Sequence, residues 1–141
     1  MCDEKEMTIL VAEDDPGHAE LIVDELKDSG IRNQIRRFCD GQEVWEFLNE
    51  KVASATAVLN YLLLLDIKMP KMDGIEVLRR IKSHETLKKI PVIMVSTTDD
   101  QPEIEKCYEL GCNMYITKPV DYRIFAESLK RLGLFIQIVR I

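Results

Sequence analysis

The sequence predicts an α/β fold, in which a five-stranded parallel sheet is covered by helices on both faces. Short apolar runs alternate with amphipathic segments along the chain, and five such pairs can be counted. Parallel strands must be joined by right-handed crossover connections, so this alternation places helices on both sides of the sheet. The clearest strand is the leucine run Leu62–Leu65, which is bounded by the carboxylate of Asp66 and a loop that contains Pro70.

Length and composition are those of one ordinary globular domain. A chain of 141 residues can bury a single core, and its net charge of −6 and sequence pI near 5.0 disfavour a general nucleic-acid binder, which needs a basic face. No apolar run is long enough to cross a membrane, and the charged residues among positions 1–6 are not those of a signal peptide. We therefore predict a cytoplasmic protein that binds neither nucleic acid nor membrane.

The cysteines and histidines carry no recognisable site. The cysteines are scattered, namely Cys2, Cys39, Cys107 and Cys112. They lack the paired C-x-x-C spacing of a zinc site, and cytosolic proteins keep their thiols reduced, so we predict free thiols. His18 and His84 have no nucleophilic or metal-binding partner in the pattern, and we predict that both lie at the surface.

The first two strand–helix pairs lie before residue 52. Thr8–Ala12 is predicted as a buried strand, followed by three acids and a helix with an apolar stripe. Residues 33–38 alternate only loosely, as an edge strand with one wet side does. The Asp40–Gly41 pair then turns the chain into a second helix, and residues 52–60 are predicted as a loop.

The remaining three pairs are marked more clearly. Tyr61–Leu65 and Pro91–Val95 are predicted as buried strands, separated by a helix for which Asp73 is placed as the N-cap. A fourth helix is predicted to end at Gly111, and Met114–Thr117 is predicted as the fifth strand. An amphipathic fifth helix follows it.

Chemically active side chains follow the predicted strands where those strands end. They are Glu13, Asp14, Asp66, Ser96 and Lys118. Ligands bind at the carboxyl ends of the strands in open α/β sheets, so we expect these side chains to share one site. Three crowded carboxylates repel one another unless a cation lies among them, and oxygen ligands of this kind favour Mg²⁺. The spacing of Asp15 from the strand favours a helix-start role instead.

The segment Asp66–Gly74 resembles the phosphoacceptor segment of response-regulator receiver domains, in which a hydrophobic strand precedes the pattern D-x-x-M-P-x-M-D-G. Position by position, the resemblance extends over residues 8–132. It implies a flavodoxin-like three-layer sandwich with a doubly wound five-stranded parallel sheet of order 2-1-3-4-5 and five helices. It also implies that residues 1–133 form a receiver domain of the CheY-like superfamily.

The resemblance implies a metal site and a phosphoacceptor. Asp14 and Asp66 would bind Mg²⁺ directly, Glu13 would hold a water on the metal, and the backbone carbonyl of Lys68 would supply a further ligand. Asp66 would be the phosphoacceptor, which attacks a phosphoryl group carried by a phosphohistidine and forms an acyl phosphate. Because nucleophile and phosphoryl group are both anionic, the reaction needs the metal and a fixed cation.

The resemblance also implies roles for the ends of the last two strands. Lys118 would supply the fixed cation, and the Ser96 hydroxyl would donate to a phosphoryl oxygen. Tyr115 would swing inward when Ser96 moves toward the phosphoryl group, which makes the pair a switch. The peptide bond before Pro119 is expected to be cis. Lys68 and Thr98 lie two positions beyond Asp66 and Ser96, where we expect them to set the lifetime of the phosphoryl group.

The implied function is that of a two-component response regulator. Such a receiver accepts a phosphoryl group from a sensor histidine kinase or a histidine phosphotransfer protein and switches a protein-binding surface. It is a signalling domain with self-catalysed phosphoryl transfer and slow autodephosphorylation, not an enzyme in the ordinary sense. Its downstream partner would be a separate protein or a fused output domain. Two alternatives stay open: the receiver of a longer regulator, and an adaptor scaffold that acts without phosphorylation.

Two other classes of protein use a similar sheet. A phosphohydrolase of the haloacid dehalogenase type also uses a strand-end Asp and Mg²⁺, but it needs a second Asp two positions after the nucleophile, where this chain has Lys68. A nucleotide or flavin binder needs a glycine-rich phosphate cradle after the first strand. The acids at positions 13–15 would repel a phosphate there, so the sequence disfavours both.

Residues 134–141 run past the resemblance, and six of these eight are apolar. Gly133 is a candidate helix C-cap, and Phe, Ile and Val favour extended structure, so we predict an extended tail after a helix that ends there. The tail could pair with the edge of the sheet as a sixth strand, within the chain or across a homodimer, or begin a connector to another domain. Docking at a homodimer contact is the interpretation we favour.

Overall fold

The computed structural model describes residues 7–54 and 60–139, apart from the side chains of residues 138 and 139. The strands are β1 (Thr8–Ala12), β2 (Ile35–Phe38), β3 (Tyr61–Leu65), β4 (Val92–Ser96) and β5 (Met114–Thr117). The helices are α1 (Pro16–Asp28), α2 (Gly41–Ser54), α3 (Gly74–Lys82), α4 (Gln101–Leu110) and α5 (Tyr122–Val139). The alternation of strands and helices is the predicted one.

The strands form one parallel sheet of order β2-β1-β3-β4-β5, which confirms the predicted topology. β3 lies at its centre, where Leu64 is paired with Val11 on one side and with Ile93 on the other. β2 is an edge strand, and its two arginines, Arg36 and Arg37, are exposed. Its loose apolar alternation is therefore explained by its position.

The leucine run is continuous because the sheet has a hydrophobic core on each face. Leu63 and Leu65 belong to the core beneath α2, α3 and α4, whereas Leu62 and Leu64 belong to the core beneath α1 and α5. Successive side chains of a strand point to opposite faces, so a strand buried on both sides needs an apolar residue at every position. All four leucines are at most 1% exposed.

Helix caps and glycines end the elements largely as predicted. Asp15 and Asp73 are the N-caps of α1 and α3, and their carboxylates accept hydrogen bonds from the backbone N–H groups of His18 and Glu76. α4 ends at Gly111, whose φ of 109° lies in the left-handed region. Of the predicted free thiols, those of Cys39, Cys107 and Cys112 are free, and Cys2 lies outside the described residues.

Several boundaries differ from the prediction by one or more residues: β2 begins at Ile35 rather than at residue 33, and β4 spans Val92–Ser96 rather than Pro91–Val95. α2 continues to Ser54, so residues 52–54 are helical rather than loop, and residues 55–59 of the predicted loop lie outside the described range. A 3₁₀ helix at Leu87–Lys89, which the sequence did not indicate, leads into β4. Short 3₁₀ turns are common connectors and have no strong apolar period. Leu87 nevertheless anchors this one, since its side chain is fully buried.

The prediction of an extended tail after a helix that ends at Gly133 was wrong, because α5 continues through Gly133 to Val139. A Cβ atom at Gly133 would lie 1.9 Å from Ser29 Oγ, so glycine is needed for the close approach of α5 to α1 rather than for a C-cap. Ile136 packs into the core between α1 and the sheet at 3% exposure, and Gln137 Nε2 donates to the carbonyl of Ser29 at 2.7 Å. Tertiary packing thus overrides the extended propensity of the tail, and no sixth strand forms within residues 7–54 and 60–139.

The expected cis bond is likewise not found. Every peptide bond in the described part of the chain is trans, including the one before Pro119. The trans form is the lower-energy state of an X–Pro bond unless its surroundings enforce the other. None of the helices in the described part of the chain is long and apolar enough to span a membrane.

Candidate functional site

The predicted site residues lie together at the carboxyl rim of the sheet. Glu13 and Asp14 follow β1, Asp66 follows β3, Ser96 ends β4, and Lys118 follows β5. Glu13, Asp66, Ser96 and Lys118 are all almost fully buried, with exposures of 1%, 7%, 1% and 6%. Buried charges of this kind need partners, so the contacts between them define the site.

Three carboxylates form the acidic part of the site. Glu13, Asp14 and Asp66 each offer one oxygen, and these oxygens all lie within 4.8 Å of one another. Asp14 is exposed and opens the cluster to solvent, whereas the other two are buried. Such a set of hard oxygen donors fits a divalent cation such as Mg²⁺ or Mn²⁺.

Asp66 is a buried carboxylate with another carboxylate beside it. Burial, and next the neighbouring Glu13 carboxylate, raise the pKa of Asp66 to about 7, while Lys118 acts in the opposite direction. The backbone N–H of Ile67 donates to Asp66 Oδ1 at 2.8 Å and orients the carboxyl group. A bound cation would relieve the same repulsion that raises this pKa.

Lys118 supplies the positive charge of the site. Its Nζ atom lies 2.5 Å from Glu13 Oε1 and 3.6 Å from Asp66 Oδ2. Its backbone N–H donates to the carbonyl of Ser96 at 2.6 Å, which ties the end of β5 to the end of β4. The ammonium group therefore lies beside the carboxylate that the resemblance identifies as the phosphoacceptor.

The loop between β3 and α3 folds back over Asp66. The backbone N–H of Gly74 donates to the carbonyl of Ile67 at 2.7 Å, and a Cβ atom at Gly74 would lie 2.0 Å from the carbonyl oxygen of Asp66. Only glycine permits this approach, which explains the Asp73–Gly74 pair. Lys68 is exposed and lines a cleft of about 480 Å³ together with Asp14 and Glu103.

Ser96, Thr98 and Tyr115 are linked through the loop that follows β4. The backbone N–H of Thr98 donates to Ser96 Oγ at 3.3 Å, and the Tyr115 hydroxyl donates to the carbonyl of Thr98 at 2.9 Å. Burial raises the pKa of Tyr115 to about 12, so its hydroxyl stays protonated and can donate. The two predicted switch residues are thus connected through one peptide segment.

Sequence reasoning missed two residues of the site. His18 is one-third exposed, but its Nδ1 atom lies 3.2 Å from Lys118 Nζ, so it is not merely a surface residue. Arg37 of β2 donates to the carbonyl of Glu13 from Nε at 3.1 Å and from a terminal nitrogen at 2.9 Å, and to the carbonyl of Asp14 at 3.1 Å. His84, by contrast, only accepts from backbone N–H groups near the 3₁₀ helix.

A faint signal for Arg37 was present in the sequence. It follows Arg36 on an edge strand, and the alternation of a strand places the two on opposite faces. Arg36 stacks over the ring of Phe47 in α2, with 4.7 Å between the guanidinium carbon and the ring centroid. Arg37 therefore lies on the opposite face of the sheet, where it borders a cleft with residues of α1. Nothing in the spacing of His18 indicated a partner that lies 100 residues away in the chain.

Comparisons with known proteins agree with this geometry. The family model described as response regulator receiver domain matches residues 9–130. The response regulator Rcp1 of Synechocystis sp. is 36% identical over 110 residues, which cover 78% of this chain and 75% of Rcp1. A solved Mn²⁺-bound form of a response regulator Rcp1 is 32% identical, with a TM-score of 0.82 over 92% of this chain and 93% of the other.

Two further solved structures are similar over almost the same length. A response regulator receiver domain from Rhodospirillum rubrum is 42% identical and superposes with a TM-score of 0.88 over 94% of each chain. The phosphorylated cyanobacterial phytochrome response regulator RcpA is 34% identical and superposes with a TM-score of 0.83 over 93% of this chain and 94% of its own.

Proposed function

The chain belongs to the response regulator receiver domain family, and from that premise we propose that Asp66 is its phosphoacceptor. The family consists of phosphoacceptor receivers in two-component signalling, and such a domain is a signalling module that is not generally classed as an enzyme. The observation that carries the proposal is the position of Asp66, whose carboxylate lies 3.6 Å from the Lys118 ammonium and within 4.8 Å of carboxylate oxygens of Glu13 and Asp14.

The proposed chemistry follows from the charges around Asp66. One oxygen of Asp66 attacks the phosphorus of a phosphohistidine, an O–P bond forms, the P–N bond breaks, and the imidazole leaves with its electron pair. The Lys118 ammonium offsets the negative charge of the transferred phosphoryl oxygens, because its Nζ atom lies 3.6 Å from Asp66 Oδ2. Ser96 places a buried hydroxyl at the end of β4, the strand beside β3, and we propose that it donates to a phosphoryl oxygen.

A divalent cation is the cofactor that the donor set supports. Asp14 and Asp66 would bind it directly, Glu13 through a water, and the backbone carbonyl of Lys68 would complete the protein ligands. Its chemistry would be charge neutralisation of the phosphoryl group. The choice of Mg²⁺ rests on the all-oxygen donor set, and the Mn²⁺-bound Rcp1 structure supports divalent binding in a relative.

The switch is proposed to run through the loop after β4. When Ser96 turns toward a phosphoryl group on Asp66, the backbone of Thr98 must follow, because its N–H donates to Ser96 Oγ. Tyr115 holds the carbonyl of the same residue, so its ring is released or repositioned with the loop. A change of charge at Asp66 is thereby linked to the position of the Tyr115 side chain on β5.

Receiver domains partner with histidine kinases or histidine phosphotransfer proteins. We infer a donor of this class for this chain, with a separate protein or a fused domain as the target of the switched surface. The receiver domain is taken as residues 1–133, with the rest of α5 as its extension. The mass of the native gene product would reveal whether an output domain accompanies it.

Phosphorylation by acetyl phosphate tests the assignment. With Mg²⁺ present, the wild type should gain one phosphoryl group that is labile to hydroxylamine, and Asp66→Asn should gain none. Asp99→Asn is the matched control, because Asp99 is an exposed acid in the loop between β4 and α4. A label of unchanged stability on the Asp66→Asn protein would show that another residue is the acceptor.

A further inference from the structure

His18 lies in the first turn of α1 and faces the phosphorylation site. Its backbone N–H donates to Asp15 Oδ1 at 3.0 Å, which fixes the start of the helix. Its ring reaches toward β5, where Nδ1 lies 3.2 Å from Lys118 Nζ. The ring meets that of Phe125 edge to face, with the centroids 6.3 Å apart and the planes at 80°, so α5 limits its rotation.

The partner of Nδ1 determines the state of the ring. An ammonium group can only donate hydrogen bonds, so Nδ1 must be the acceptor and the ring proton must be on Nε2. Glu13 Oε2 could accept a hydrogen bond from Nδ1 only if the ring proton were on Nδ1. The two atoms are 4.0 Å apart, which is too far for that hydrogen bond. His18 is therefore a neutral acceptor for Lys118.

Lys118 Nζ has two hydrogen-bond partners in this arrangement, Glu13 Oε1 at 2.5 Å and His18 Nδ1 at 3.2 Å. Asp66 Oδ2 lies 3.6 Å away, at ion-pair distance. Glu13 and Asp66 are also the carboxylates that a divalent cation would draw away from the ammonium group. His18 is uncharged and lies outside the acidic cluster, so it is the acceptor that a cation does not compete for.

We propose that His18 is a positioning residue that holds the Lys118 ammonium against the phosphoryl group while Glu13 turns to the cation. This inference rests on the proposed function of Asp66. Without the acceptor, Lys118 keeps its charge but loses the contact that fixes its side chain from the α1 side. Its charge is then less often within reach of the phosphoryl oxygens, and the transfer slows.

A matched pair of variants separates positioning from packing. Asn places its Oδ1 at the branch position that Nδ1 occupies in His, and can accept from Lys118, whereas Leu fills a similar volume without an acceptor. At saturating Mg²⁺ and acetyl phosphate, we expect His18→Leu to reduce the phosphorylation rate about tenfold and His18→Asn to stay within about threefold of wild type. His84→Leu, which removes the other histidine, should not change the rate.

Two readouts do not depend on turnover. The Mg²⁺ dissociation constant of His18→Leu should match that of wild type, because His18 is not a ligand. In nitrogen NMR spectra of the cation-free protein, the neutral ring should be the Nε2–H tautomer, and Lys118→Met should remove that preference. A ring with its proton on Nδ1 overturns the inference whatever the kinetics are.

The kinetic outcomes distinguish this inference from the proposed function. If wild type is labelled on Asp66 and His18→Leu reacts at the same rate, the positioning role is wrong and the phosphoacceptor assignment stands. If His18→Asn is as slow as His18→Leu, the effect is one of packing and the inference also fails. A wild type that takes no label on Asp66 overturns both proposals together.

Discussion

Lys118 Nζ lies 2.5 Å from Glu13 Oε1, closer than to the proposed phosphoacceptor. Both side chains are at most 4% exposed, so the two charges neutralise each other away from water. A cation bound among the carboxylates would compete with Lys118 for Glu13. Cation binding would therefore be coupled through this ion pair to the release of Lys118 toward Asp66.

Replacement of Lys118 by Met should have opposite effects on stability and on cation affinity. In the absence of Mg²⁺, the buried carboxylates lose their counterion, so the free energy of unfolding should fall by about 3 kcal/mol. The Mg²⁺ affinity should rise, by about tenfold, because the competing charge is gone. Denaturation in EDTA and Mg²⁺ titration measure the two effects. Lys71→Met, which removes an exposed partner 3.7 Å from Asp40, should leave the Mg²⁺ affinity unchanged.

The stability of the cation-free protein should fall as the pH rises. Asp66 has a pKa of about 7 in the fold, against 3.8 for an unperturbed Asp, so the folded state binds this proton more tightly than the unfolded chain does. The contribution of protonated Asp66 to the free energy of unfolding is therefore fully present at low pH and is lost as the pH rises from about 4 to 7. Asp66→Asn should remove this pH-dependent loss, and its free energy of unfolding at pH 8 in EDTA should exceed that of wild type by roughly 2–4 kcal/mol.

Chemical denaturation across the pH range, with and without Mg²⁺, measures this effect. Saturating Mg²⁺ should flatten the profile of the wild type, because the cation replaces the proton as the neutralising charge. Asp99→Asn, at an exposed position, serves as the control. Parallel profiles for wild type and Asp66→Asn in EDTA would contradict the prediction.

Arg37 should position the acidic loop without touching the cation. Its guanidinium donates three hydrogen bonds to the carbonyls of Glu13 and Asp14. Arg37→Met frees that loop, so we expect the Mg²⁺ affinity to fall about fivefold to tenfold, with Arg37→Lys intermediate because it cannot form the same fork. Isothermal titration of Mg²⁺ measures this. Arg36→Met, on the opposite face of the same strand, is the control, and an equal loss there would refute a specific role for Arg37.

The fold was predictable from the sequence because its strongest signals are local and additive. A strand buried on both faces must be apolar throughout, and Leu62–Leu65 is such a strand. The N-caps Asp15 and Asp73 were predictable for the same reason, since a cap is formed within four residues. The strand order came from the resemblance, because no local pattern encodes which strands become neighbours.

The misses concern contacts between segments that are distant in the chain. Gly133 has the local pattern of a helix end, and only its approach to Ser29 explains it within a helix. His18 and Arg37 look like ordinary surface residues until α5 and β1 are packed beside them. The local sequence around these residues is compatible with more than one structural role, and long-range packing determines which role each residue has.

Lys68 and Thr98 should set the rate of dephosphorylation. Lys68 is exposed beside the cleft that leads to Asp14, and Thr98 is half-buried with its backbone bound to both Ser96 and Tyr115. Side chains at these positions can screen or orient an attacking water. Lys68→Ala with Thr98→Ala should change the half-life of the phosphoryl group by about threefold or more without unfolding the protein. A gel-shift assay that monitors the loss of the phosphoryl group over time measures this half-life. An unaltered half-life in the double variant would contradict the prediction.

The end of α5 has two faces whose roles can be separated. Ile136 is buried against α1, whereas Leu134 and Phe135 are 49% and 46% exposed. Ile136→Ala should cost about 2–3 kcal/mol of stability and leave the mass in solution unchanged, because it creates a cavity within one chain. Leu134→Ser with Phe135→Ser should keep stability within about 1 kcal/mol and reduce self-association, if this apolar face forms a homodimer contact.

Light scattering with sedimentation velocity gives the mass, and chemical denaturation gives the stability. Removal of residues 134–141 should show both effects at once, since it deletes the buried anchor and the exposed pair together. The point variants then assign each effect to its own face. A double variant with the mass of wild type at every concentration would rule out the homodimer contact, and Ile136 would remain as the anchor that docks α5 on α1.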